Sequence, residues 1–131
     1  MGAPKTTPND GNVDQFFDAI ASEAQRDEAR QLHELFERVV GAPGVMWGGA
    51  IVGYGTTTIT YSDGRTADWM AVGFAPRSGK FAIYGLLDGD GATSALEALG
   101  RHTVGKGCLY VPKLADIELP VLEGMIRRAI G

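Results

Sequence analysis

The chain has 131 residues, 44% hydrophobic and 21% charged. That describes one ordinary globular domain whose core closes without disulfide or metal staples. A formal net charge of −4 argues against a general nucleic-acid binder, which needs an excess of Lys and Arg. No apolar run is long enough to span a bilayer, and a lone cysteine, Cys108, excludes an internal disulfide, so the expected setting is the reducing cytoplasm.

Residues 1–11 hold two prolines and two glycines and read as a disordered polar leader, without the apolar stretch of a secretory signal. Residues 12–131 read as a single domain. Val13, Phe16, Phe17 and Ile20 share one helical face, with Asn12 as N-cap. Leu32, Leu35, Phe36 and Val39 repeat that spacing, and Gly41 with Pro43 stops the second helix. The period then changes. "AIVGYG", "TTTITYS", "ADWMAVGFA" and "KFAIYGLL" read as four strands, with Asp63–Gly64 as a hairpin signal and a turn over 76–79. These connections are too short for crossover helices and predict an antiparallel meander. "ATSALEALG" is a short helix ended by Gly100, and "CLYV" is a fifth strand. The last helix starts near Asp116 or Glu118, with Pro120 in its first turn and a core face of Leu122, Met125, Ile126 and Ala129. The order ααββββαβα predicts an α+β fold: a single antiparallel sheet of about five strands with flanking helices.

Gly100 to Lys106 matches the spacing G-x-x-x-x-G-K of a phosphate loop. The context is reversed, because Gly100 ends a helix and Lys106 enters a strand. Gly107 stands where the motif needs a magnesium-binding Ser or Thr. A nucleotide-triphosphate site is therefore rejected. "DGDG" at 88–91 begins like a calcium loop but has Leu99 at the twelfth position, where a bidentate acid is required. The stretch "GRHTVGKG" still gathers Arg101, His102 and Lys106 among glycines that permit close approach.

Four ordered blocks carry a resemblance: "VMWGGAIVGYG" at 45–55, "DWMAVGFAPR" at 68–77, "GRHTVGKGCLYV" at 100–111 and "LADIEL" at 114–119. They resemble the YdhG-like family of bacterial domains of unknown function. The resemblance implies a frataxin-like or YdhG-like fold in a small cytosolic protein. One branch is linked to frataxin-type iron delivery for iron–sulfur assembly. Members commonly read "GKHKTGKSCLY" here; this chain has Arg101 for Lys and Gly107 for Ser, which removes a hydroxyl. No catalytic mechanism comes with the family.

Three readings of function stand side by side. The first is a binding domain with weak iron binding. Residues 1–40 hold eight acids and four bases, and Asp14, Asp18, Glu23 and Asp27 form a carboxylate ridge of hard oxygen donors. A solvated helix face is the structural alternative. The second is a small-anion or small-molecule pocket at Arg77, His102 and Lys106, with Trp47 or Trp69 beside it. Its enzymatic form uses His102 as acid or base and Lys106 or Arg77 to stabilise negative charge. The third is a homodimerising module. Alternation sets Trp69 and Ala71 against Met70, Val72 and Phe74, and Phe81 and Ile83 against Ala82 and Tyr84. Both sheet faces are then apolar: either helices split over both faces and bury them as core, or Trp47, Tyr54, Trp69, Tyr84 and Tyr110 contribute to an aromatic groove.

Overall fold

The computed structural model describes residues 8–9, 11–87, 91–105 and 108–130. Its elements are β1 (Pro8–Asn9), α1 (Val13–Asp18), α2 (Glu23–Val40), β2 (Val45–Trp47), β3 (Ile51–Thr60), β4 (Thr66–Arg77), β5 (Lys80–Tyr84), α3 (Ala92–Leu99), β6 (Thr103–Val104), β7 (Cys108–Val111), a 3-10 turn (Leu114–Asp116) and α4 (Leu119–Ile130). The strands form one sheet in the order β1-β2-β3-β4-β5-β7-β6, and every pairing is antiparallel. The α+β class and the single antiparallel sheet are as expected.

Local chemistry sets the helix limits. The Asn12 side chain accepts from Gln15 N at 3.0 Å, and Ser22 does the same for Gln25 N at 3.2 Å. Each satisfies an amide that the first helical turn leaves open. Gly41 ends α2 at φ 75°, with its N–H on the Glu37 carbonyl at 2.9 Å.

The sheet differs from the expected meander in three places. "AIVGYG" and "TTTITYS" are not two strands; Ile51–Thr60 is one ten-residue strand, and Val45–Trp47 supplies the strand before it. Pro8–Asn9, inside the expected leader, pairs with Trp47 and Met46; residues 1–7 and 10 lie outside the described residues, as do 88–90 of "DGDG". The third difference is at Gly55, whose φ of +69° interrupts the pleat. A Cβ built there would meet Ala71 and Val40, on the helix side, while Cβ atoms at Gly53 and Gly73 would meet Met70. Met70 is therefore 1% exposed but stands outside the core of Val72 and Phe74, which alternation had placed with it.

One core joins the helices to one face of the sheet. Phe17 of α1, Leu32 and Phe36 of α2, Leu99 of α3, and Leu122 and Ile126 of α4 pack on Val52, Tyr54, Phe74, Phe81, Ile83 and Leu109. The rings of Phe36 and Tyr54 stack at 4.9 Å, and Phe74 lies against both. Tyr54, expected in an aromatic groove, is a core residue at 0% exposure. Ala129, expected in the core, is exposed, because the last turn of α4 borders an open cavity instead of packing on the sheet.

Glu123 of α4 ties two helices together, accepting from Arg38 of α2 at 3.0 Å and from Arg127 one turn along. The Arg127 and then the Arg38 hydrogen bonds hold its carboxyl below the ordinary 4.5. The stabilisation is present above the unfolded pKa and is lost as pH falls through the folded one. Glu123→Gln is predicted to lower stability near neutral pH, and the gap to wild type is predicted to close as both are acidified below the carboxylate range. Chemical denaturation over that pH series checks both.

Candidate functional site on the open sheet face

With the helices on one face, strand register arranges the other. In β5, Phe81 and Ile83 enter the core, so Lys80, Ala82 and Tyr84 point outward. Arg77 lies opposite Lys80, Ala75 opposite Ala82, and Gly73 opposite Tyr84. On the other side of β5, Tyr110 lies opposite Ala82 and Cys108 opposite Tyr84. The centre of this face is thus a floor of glycine and alanine, and its rim is aromatic and cationic.

The rim folds over the floor. Arg77 Nη2 donates to Tyr84 Oη at 2.9 Å. In register these two flank the Ala75–Ala82 pair, so the bond arches across it, and the alanines are 0% and 1% exposed. On the far side the Trp47 indole lies over Gly53, where a Cβ would stand 2.5 Å from its Cδ1, and the Met70 sulfur covers Gly73. Trp69 meets Trp47 with ring centroids 5.4 Å apart.

The two cations are held from beneath. Arg77 and Lys80 bracket the Ser78–Gly79 turn, where Gly79 takes φ +72°. The Gln25 side chain of α2 donates to both of their carbonyls, at 2.6 and 3.1 Å. Above, Lys80 Nζ sits 4.7 Å from the centre of the Tyr110 ring. Among the described residues Arg30, Arg38, Arg65, Arg101 and Arg127 are ion-paired with carboxylates; Arg77 and Lys80 are not, nor are Arg26, Lys113 and Arg128, but only Arg77 and Lys80 lie opposite each other on the sheet. Cys108 beside Tyr110 raises that phenol above its ordinary 10, with Tyr84 adding and Arg77 opposing.

The other expected site residues are dispersed. His102 bonds its Nδ1 to the Gly100 carbonyl at 2.7 Å, beyond the β6 edge. Four strands stand between β6 and the β2 strand that carries Trp47, so His102 is not beside that indole. Lys106 lies outside the described residues. Gly100 follows α3 and leads into β6, which offers no helix N-terminus to a phosphate. Gly105, expected to admit a ligand, admits a ring: a Cβ there would be 2.6 Å from Tyr110 Cε2.

On the acidic ridge, Asp14 and Asp18 both face Arg30, at 3.6 and 2.5 Å, while Glu23 and Asp27 are exposed. Among the described residues no three His, Cys, Asp or Glu side chains gather to hold a metal ion. None of the helices is long and apolar enough to cross a membrane. Of the apolar residues on the open face, Trp47, Met70, Ala75 and Ala82 are buried within the chain itself, and Trp69 is half-buried. Comparison with models of protein families, with curated proteins and with solved structures finds no match.

A polar relay that sequence reasoning missed lies on the helix side. Glu37 accepts from Gly44 N at 3.0 Å and faces His33 Nε2 at 3.3 Å, and His33 Nδ1 meets Tyr54 Oη at 2.7 Å. With a carboxylate at Nε2, the neutral ring carries its proton there, so Nδ1 accepts from the phenol. Burial, then the Glu37 charge, pushes the Tyr54 pKa far above 10 and keeps it a donor. At 0% exposure the phenol meets no substrate; the relay joins α2, β3 and the loop between α2 and β2. Tyr54→Phe is predicted to cost about 1–2 kcal/mol by leaving Nδ1 unpaired. Urea unfolding measures it, and an unchanged midpoint would mean that solvent replaces the contact.

Proposed function

We propose that the chain is a YdhG-like, frataxin-like binding domain that captures a small oxyanion, a carboxylate or phosphate group, at Arg77 and Lys80. One observation carries this reading: two cations opposed in register, fixed at the backbone by Gln25, stand on an open face with phenols for neighbours and, among the described residues, no carboxylate paired to them. An oxyanion takes charge-assisted hydrogen bonds from the guanidinium and a point charge from the ammonium. Three of the four sequence blocks that resemble the YdhG-like family contribute to this face: Trp47 and Gly53 from the first, Gly73, Ala75 and Arg77 from the second, Cys108 and Tyr110 from the third. The engagement of Asp14 and Asp18 by Arg30 favours an anion over iron as the ligand.

The reading is tested by calorimetric titration of inorganic phosphate and acetate into wild type, Arg77→Gln, Lys80→Gln and the double variant at low salt. Saturable binding is expected in wild type. Each single substitution is expected to weaken it about ten-fold, the size of one charge-assisted bond. Undetectable binding by wild type, or equal affinity in the double variant, would overturn it.

A further inference from the structure

We propose that a second, separate site, for an aromatic carboxylate, lies between the outer part of the β3–β4 hairpin and the last turn of α4. The cavity there has a volume of about 720 Å³ and is lined by Thr56, Thr57, Trp69, Tyr84, Arg128 and Ile130, among others. That volume falls within the range of about 300–1,000 Å³ that holds small ligands.

The cavity follows from where β5 stops. β5 pairs with β4 only as far as Gly73, opposite Tyr84, so Trp69 to Val72 have no strand beyond them on that side. Gly85 turns the chain away at φ +91°, and its backbone passes so close that a Cβ would be 2.4 Å from the Ala71 carbonyl oxygen. The chain leaves the sheet abruptly, and the last turn of α4 borders the gap that it leaves.

The walls select the ligand. Trp69 is half-buried, and its ring is braced by Trp47, so a flat apolar face stands ready without further ordering. Tyr84 supplies a second ring, with its hydroxyl already engaged by Arg77. Arg128 comes from α4, its guanidinium beside Gly91, where a Cβ would lie 3.2 Å from Cζ. Among the described residues it has no carboxylate partner. Aromatic walls with one cation suit a ring that carries one negative charge. The threonine hydroxyls can serve its polar edge.

The test uses 1-naphthoate and protein labelled with 5-fluorotryptophan, which gives one fluorine signal for each of Trp47 and Trp69. Trp69→Phe or Trp47→Phe assigns them. A saturable shift of the Trp69 signal is expected. Arg128→Gln is expected to weaken it about ten-fold with an unchanged melting temperature. Lys80→Gln, whose ammonium sits over Tyr110 and touches no wall of this cavity, is expected to keep wild-type affinity for 1-naphthoate, which separates this cavity from the oxyanion site. The proposal fails if the Trp69 shift does not saturate, if Arg128→Gln binds as wild type does, or if Lys80→Gln abolishes binding.

Discussion

The packing of every described helix on one side of the sheet is the constraint from which the rest follows. A seven-stranded sheet whose second face meets no helix must exclude water from its own backbone with its own side chains. The centre of that face is made of Gly53, Gly73, Ala75 and Ala82, and the large residues stand around them. Trp47 lies inward over Gly53, Met70 covers Gly73, and the Arg77–Tyr84 bond crosses the alanines. The floor residues are small because the covering groups must pass close to the backbone; a valine at position 53 would occupy the place of the indole ring. The same arrangement that seals the face puts a guanidinium and an ammonium on its surface.

Those cations are ordered by the core side of the molecule. Gln25 reaches from α2 to the two carbonyls of the β4–β5 turn. The helix that buries Leu32 and Phe36 thereby also sets the geometry of Arg77 and Lys80 across the sheet. A site built this way loses little entropy on binding, because the turn is already held. The link runs from core packing through one amide side chain to the electrostatics of the open face.

Much of the fold was legible from local chemistry. Asn12 and Gly41 mark helix limits because their side chain or permitted φ does work that few other residues can do. Cys108–Val111 reads as a strand from its composition alone. The failures are physical in origin. Gly55 looked like a strand end but is a pleat reversal inside a strand, and it sends Met70 to the face that strict alternation denies it. Arg77, singled out in the sequence as a candidate cation, and Tyr84 and Tyr110, singled out as candidate groove aromatics, are brought onto one sheet face, since cations and rings at a strand end are visible in one dimension. Their separation from His102 was not, because strand order places β7 and β6 at one edge and β2 near the other. Gln25 and Arg128 carried no sequence signal at all: a polar residue on an amphipathic helix is silent until the helix has docked.

The most direct test of the open face as the functional surface is a backbone amide shift map of the wild-type protein titrated with inorganic phosphate. The account predicts saturable shifts confined to residues 77–84 and 108–111, with α1 and the first turns of α2 unmoved apart from Gln25. Shifts centred on His102 and the β6 edge, or on Asp14 to Asp27, would contradict it.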